Sequence, residues 1–293
     1  MTNLKGRTVG FIGLGLMGKP MARNLFAAGA EMIIHNRSQG VIKELAGEGM
    51  TPAKTAAEAA EKAETVIIMT PDSKSVEAVL KGPDGVISGL APDTLVIDMG
   101  TTKVPETRAF AAEVEAAGGS YMDAPVSGGT VGAEGGTLTI MVGGSGEDLE
   151  RARPLFEVMG SRITHIGSVG TGEVAKAANQ VIVGLNIGAV AEALTLAKQA
   201  GADPAKVREA LKGGFADSRI LELHGLRMIE DDFTPGGKCN TQRKDLDQAI
   251  ELATELGFDL PATALCRDLY DKVIEAGHGG LDHAALIKAI EPD

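Results

Sequence analysis

Apolar residues in the first half of the chain fall into short runs separated by amphipathic stretches and glycine-rich turns. The runs at 7–12 (RTVGFI), 31–35 (EMIIH), 65–69 (TVIIM), 94–98 (TLVID) and 120–123 (SYMD) are short and mostly rich in Val, Ile, Met or Thr. That pattern predicts buried β-strands. Between them, 20–28, 41–47, 55–62, 75–80 and 105–117 carry apolar positions at helical spacing, and Gly29 is well suited to end the first of these helices. Strand–helix alternation with apolar strands predicts a parallel sheet covered on both faces. A further run at 137–142 (TLTIMV), between two Gly-Gly pairs, predicts another strand near the sheet edge.

The texture changes after about residue 166. A long helical pattern runs from 173 to 199 and closes at Gly201; it is apolar nearly all round, which predicts a central buried helix. Helices are then predicted at 204–212, 220–230, 244–256, 261–276 and 283–290, with no strand pattern of comparable quality. The expected organisation is an α/β domain over 1–166 and an all-α domain over 167–293.

The chain has 293 residues, 44% of them hydrophobic, enough to build a sizeable core. Its formal net charge of -12 argues against nucleic acid or an anionic membrane surface as the main partner. A local cluster of Lys and backbone N–H groups can still bind a small anion. The two cysteines, Cys239 and Cys266, are far apart and outside metal-ligand spacing, so buried free thiols and no metal are expected. The N-terminus lacks a basic-then-apolar signal layout, and the apolar run 181–196 includes Asn186 and Glu192. A cytoplasmic protein that does not span a membrane is the expectation.

The strand at 7–12 runs into Gly13-Leu14-Gly15-Leu16-Met17-Gly18, a G-x-G-x-x-G with a helix after it and a second strand at the expected distance. Gly13 permits a tight turn, Gly15 removes a side chain where a pyrophosphate approaches, and Gly18 lets helix and strand pack closely. The residues Gly13, Gly15, Leu16, Met17 and Gly18 therefore form the expected dinucleotide loop, at the donor-rich N-terminus of a helix. This is the signature of a Rossmann-type domain. The second strand ends in His35-Asn36-Arg37-Ser38, without the carboxylate that selects NAD by accepting from the ribose 2′-hydroxyl. Asn36 is neutral, and Arg37 and Ser38 can bind a 2′-phosphate. NADP is the expected cofactor, with NAD as the alternative in which Arg37 only stacks on adenine or faces solvent.

Two later segments carry candidate chemistry. Asp123-Ala124-Pro125-Val126-Ser127-Gly128-Gly129 follows a strand end, where ligands gather in parallel sheets. Ser127, Gly128 and Gly129 offer a hydroxyl and exposed backbone N–H groups to a carboxylate; the alternative is a turn that simply requires positive φ. Gly170-Thr171-Gly172-Glu173-Val174-Ala175-Lys176-Ala177-Ala178-Asn179-Gln180 opens the long helix, with Lys176 and Asn179 at i and i+3 on one face. A lysine on an apolar helix is costly unless paired or used. It is either a general acid–base or an edge lysine whose head reaches solvent.

Together, FIGLGLMGKPMARNL (11–25), DAPVSGG (123–129), GTLTIMVGG (136–144) and GTGEVAKAANQ (170–180) resemble the β-hydroxyacid dehydrogenases in order and spacing, across essentially the whole chain. The resemblance implies hydride transfer between NADP(H) and a small carboxylate-bearing hydroxyacid or semialdehyde. It implies Lys176 as general acid–base, Ser127, Gly128, Gly129 and Asn179 as substrate contacts, Thr101 as a nicotinamide-side contact and Lys244 as a cofactor-closing residue. Within the family, NQVIVGLNIGAVAEALTLA and GHGGLDHAAL are most similar to the branch acting on 2-hydroxy-3-oxopropionate. Branches acting on 3-hydroxyisobutyrate, or on glyoxylate and succinic semialdehyde, are the alternatives, and a catalytically silent NADP sensor is the alternative outside enzymes. Gly100 departs from the family's D-M-S-T, and Gln180 stands where some members carry a second Asn. The apolar faces of the long helix predict a homodimer or homotetramer.

Overall fold

The computed structural model describes residues 2–292, which divide into two compact units with the division at Lys176. The first unit is built on one nine-stranded sheet: β1 Thr8–Ile12, β2 Glu31–His35, β3 Thr51–Pro52, β4 Thr65–Ile68, β5 Leu95–Asp98, β6 Ser120–Asp123, β7 Val126–Ser127, β8 Leu138–Gly143 and β9 Gly160–Gly167. The first six strands are parallel in the order β3-β2-β1-β4-β5-β6. That is the doubly wound dinucleotide-binding order, whose reversal beside β1 opens a crevice at the carboxyl ends of the strands.

Period-2 side-chain alternation supplies two cores. Val9, Phe11, Ile67, Leu95, Ile97 and Met122 enter one cluster, while Ile12, Val66, Ile68, Val96 and Tyr121 enter another. Helices cover the sheet: α1 Gly18–Ala27, α2 Gln39–Gly47, α3 Ala56–Glu61, α4 Ser73–Lys81, α5 Val104–Ala116, α6 Gly129–Gly135 and α7 Gly146–Met159. The α/β class and the parallel sheet expected from the sequence are both present. The strand expected near the sheet edge is β8, which lies next to the terminal strands β7 and β9. β8 pairs antiparallel with β6 and β7 and parallel with β9, and its side chains are almost all buried.

The second unit is all-helical. The helix α8 spans Thr171–Gln199, begins in the first unit and runs on into the second, where α9 Pro204–Leu211, α10 Arg219–Glu230, α11 Cys239–Glu255 and α12 Pro261–Glu275 follow. The predicted last helix is a 3-10 segment, His283–Ala289. By length and composition α8 could cross a bilayer, with a mean hydropathy of 1.6 in its most apolar stretch. The same properties serve a core helix, and Ile187, Ala191 and Leu194 of α8 pack in the unit's core with Leu246, Tyr270 and Leu286. Within the motif GHGGLDHAAL, Asp282 is buried and accepts N–H bonds from Gly236, Gly237 and Ala284, pinning the end of the chain. Cys239 and Cys266 are buried in this unit; burial pushes their thiols up to about 12 and about 11.

Candidate active site

The glycine loop lies at the carboxyl end of β1. Gly13 has φ +97°, and a Cβ there would sit 2.3 Å from the Met69 carbonyl oxygen. A Cβ on Gly18 would fall 1.9 Å from the Gly13 carbonyl oxygen, so the entry into α1 is closed to any side chain. Gly15 differs: no atom lies within 4 Å of its Cβ position. The protein itself does not require glycine at that position, while a phosphate approaching the backbone does. Met17 caps α1 without a side-chain hydrogen bond, and the first turn holds no acidic residue, so its N–H donors face no competing anion. An open cradle, uncapped donors and half-exposed Leu16 fit a dinucleotide pyrophosphate.

At the end of β2, Asn36 has a local task. Its Oδ1 accepts from Leu14 N at 3.0 Å and its Nδ2 donates to the Ser38 carbonyl at 3.1 Å, tying the glycine loop to the strand end. Arg37 and Ser38 are exposed, and Arg37 makes no hydrogen bond or ion pair among the described residues. Ser38 caps α2 with an extended backbone but no side-chain bond. Both side chains are therefore available to a ligand.

The ends of β5 and β6 hold a buried acidic network that sequence reading missed. Asp98 accepts from Gly100 N at 2.9 Å, from the Thr102 hydroxyl at 2.6 Å and from the Tyr121 hydroxyl at 3.2 Å. Asp123 accepts from Gly170 N at 2.7 Å and Glu173 N at 2.8 Å, which caps the start of α8. Burial pushes the Asp123 carboxyl up to about 6, although those N–H bonds oppose the rise. Burial, reinforced by Asp98, likewise raises Glu173 well above the usual carboxylate range. The signal available in the sequence was an acid directly ending an apolar run, as in LVID and YMD, because fully buried Asp is rare unless paired. Gly100 also gains a physical reason: a Cβ there would lie 2.4 Å from the Thr70 carbonyl oxygen. Thr101 follows it, half-buried.

β7 carries Ser127, and the chain turns there through Gly128 (φ +135°) and Gly129 (φ +60°), both exposed. Positive φ alone accounts for the two glycines. Beside the turn, Lys176, only 8% exposed, donates from Nζ to the Val126 carbonyl at 2.9 Å, one residue before Ser127. The structure thus brings Lys176 to the Ser127 turn. In the second unit, Asn179 Nδ2 donates to Gln180 Oε1 at 2.8 Å, and Gln180 Nε2 donates to Asp245 Oδ2 at 2.5 Å and Gln242 Oε1 at 3.1 Å. Lys244 pairs with Asp245 at 2.9 Å. A surface cleft of about 670 Å³ bordered by Thr8, Glu31, Thr51 and Lys62 lies at the opposite, amino-terminal ends of the strands and has none of these residues.

Comparison with known proteins agrees with this geometry. Residues 8–167 match the model of the NAD-binding domain of 6-phosphogluconate dehydrogenase, and residues 170–290 match that of the NAD-binding region of NADP-dependent 3-hydroxyisobutyrate dehydrogenase. The chain is 48% identical over 284 residues to 2-hydroxy-3-oxopropionate reductase of Escherichia coli (strain K12), covering 97% of each chain. The chain belongs to the β-hydroxyacid dehydrogenase family. As a β-hydroxyacid dehydrogenase it is an NAD(P)-dependent oxidoreductase acting on a CH–OH group. It is also 35% identical over 293 residues, 98% of each chain, to an NAD-dependent L-serine dehydrogenase of Pseudomonas aeruginosa. Among solved structures it is similar to Mycobacterium tuberculosis 3-hydroxyisobutyrate dehydrogenase with L-serine, with a TM-score of 0.88, 32% identity and coverage of 98% of this chain and 99% of the other.

Proposed function

We propose that this β-hydroxyacid dehydrogenase reduces 2-hydroxy-3-oxopropionate to glycerate with NADPH, and that Lys176 is its proton donor. The observation that carries the reading is the buried Lys176 ammonium 2.9 Å from the Val126 carbonyl beside the Ser127 turn, in a chain 48% identical to a 2-hydroxy-3-oxopropionate reductase. Residues 1–166 serve as the dinucleotide-binding domain and 167–293 as the substrate and oligomerisation domain.

Gly13, Gly15, Leu16, Met17 and Gly18 hold the pyrophosphate, Thr101 lies on the nicotinamide side, and Lys244 closes on the cofactor. When bound, the reduced nicotinamide supplies the hydride that the aldehyde carbon takes up. Ser127 and the N–H groups of Gly128 and Gly129 grip the substrate carboxylate, which fixes the aldehyde at one distance from the lysine. As the carbonyl oxygen becomes an alkoxide, Lys176 Nζ gives it a proton and is left neutral; its bond to Val126 O keeps the amine aimed while it waits for a proton from solvent. Asn179 orients the substrate oxygen. Exposed Ile182, Leu196 and Leu265 support a homo-oligomer.

NADP is preferred because Asn36 offers no carboxylate to the ribose and Arg37 is exposed and uncommitted. The testing experiment assays 2-hydroxy-3-oxopropionate, 3-hydroxyisobutyrate, glyoxylate and succinic semialdehyde with both cofactors, in the unmodified protein and in Arg37→Ala. The expected result is the highest kcat/KM for 2-hydroxy-3-oxopropionate with NADPH. Arg37→Ala should lower kcat/KM with NADPH by roughly ten- to a hundredfold and leave NADH nearly unaffected. A preference for 3-hydroxyisobutyrate would move the substrate assignment to that branch, and an NADH-preferring enzyme would overturn the cofactor assignment.

A further inference from the structure

The first turn of α8 carries a second buried polar side chain besides Lys176. Glu173 is 2% exposed, and its Oε1 accepts from the backbone N–H of Thr102 at 3.0 Å. Its other oxygen, Oε2, is buried without a hydrogen-bond partner among the described residues. Its own N–H is held by Asp123 at 2.8 Å. Thr102 is fixed independently through its hydroxyl to Asp98, and it directly follows Thr101. Glu173 and Lys176 stand three positions apart, on one face of the helix.

A carboxyl in this setting is expensive. Burial and the neighbouring Asp98 and Asp123 oppose its ionisation, and one oxygen has no partner. An apolar side chain would fill the same space without that cost. What the carboxyl alone does is reach across to the Thr102 amide. Lys176 is already referenced to the β7 turn through Val126, and Asp123 references the helix start to β6. The bond from Glu173 to Thr102 adds the third tie, to the loop after β5.

We infer that Glu173 is a positioning residue for the reaction: its carboxyl oxygen holds the Thr101–Thr102 segment at a fixed spacing from the turn that carries Lys176. This rests on the reading of Lys176 as the proton donor. What matters is the reach of the acceptor, and the acidity of the group is incidental. Glutamine keeps the reach and loses the acid, while aspartate keeps the acid and is one methylene too short. These two substitutions therefore separate the inference from a charge effect.

The experiment compares full-length Glu173→Gln, Glu173→Asp and Lys176→Ala with the unmodified protein, with kcat normalised to the folded fraction. A displacement near 1 Å can cost about a hundredfold in rate, so Glu173→Asp should lose roughly ten- to a hundredfold in kcat, and Glu173→Gln should stay within about threefold. Hydrogen exchange of the Thr102 amide in the cofactor-free protein gives a readout independent of turnover: slow in the unmodified protein and Glu173→Gln, faster in Glu173→Asp. A reversed order of rates, or a Glu173→Asp protein with normal kcat and a protected Thr102 amide, overturns the inference. Turnover surviving in Lys176→Ala brings down the proton-donor reading itself. Loss there beside a normal Glu173→Asp brings down only the role of Glu173.

Discussion

The turn after β1 and the turn that opens α8 both contain G-x-G, yet their glycines answer to different neighbours. At Gly172 a Cβ would meet the Met141 carbonyl oxygen at 2.5 Å and the Asp123 carbonyl and Oδ2 atoms at 2.8 Å, and Gly170 has φ +90°. Protein atoms fill that turn completely, and its glycines exist so that the Asp123 carboxylate can enter the first turn of a helix. At Gly15 the Cβ position is open. Gly172 is packed against the protein's own polar network, whereas Gly15, between the closely packed Gly13 and Gly18, has an open Cβ position. Residue spacing alone does not separate the two, whereas the contents of the missing side chain's volume do.

The largest effect expected from testing this contrast is at the lysine that the packed turn presents. Lys176→Ala should reduce kcat by roughly 10²–10⁴-fold while NADPH affinity, measured by fluorescence titration, stays close to the unmodified value. Parallel losses in both would mean that the two turns act as one binding surface. Next comes the packing itself. Gly172→Ala pushes a methyl group into backbone oxygens that cannot swing away, and urea unfolding should register a loss of about 3 kcal/mol. A Gly172→Ala protein as stable as the original would show that the turn has slack.

The acidic network gives a pH test of similar or smaller size. The Asp123 carboxyl rises from 3.8 to about 6 on folding, so the folded state favours its protonated form. The stability it contributes is fully present below about pH 4 and is lost as pH rises through about 6, at most about 3 kcal/mol. The stability difference between the unmodified protein and Asp123→Asn should therefore shrink over that window in denaturation series. A difference that grows with pH would reverse the sign. The smallest effect belongs to the open position: Gly15→Ala should leave the melting temperature unchanged and weaken NADPH binding by roughly tenfold. Unchanged affinity there would remove the contrast between the turns.

Much of this was legible in the sequence, for reasons that also define what was not. Strands β1, β2, β4, β5 and β6 are continuous apolar runs because both faces of a parallel sheet are buried. Strand β3 is two residues ending in Pro52, and β9 (GSRITHIG) is largely exposed, so neither carries a periodic signal. The helix α6 contains three glycines, and α7 holds Pro154 in its interior, both against local propensity. At the site, the glycine loop is a local motif and could be read directly, whereas Lys176 stood out only as a lysine on an apolar helix, its role being implied by the family resemblance. The Asp98–Asp123–Glu173 network could not be read as a network, because it is assembled from three separate segments; the sequence showed only two acids, each ending an apolar run. Asn36 illustrates the opposite limit: its identity pointed toward the cofactor, while both ends of its amide are taken by Leu14 and Ser38.

The two deeply buried thiols have a practical consequence. With Cys239 pushed up to about 12 and Cys266 to about 11, the reactive thiolate is on the order of one part in a thousand or less at pH 8. Maleimides and mild oxidants should pass over the native protein. A cysteine introduced at exposed Leu16, in the glycine loop, would then be the single addressable sulfur. A fluorophore attached there would report dinucleotide arrival with no need to delete either natural cysteine, and hence with no cavity left in the helical core.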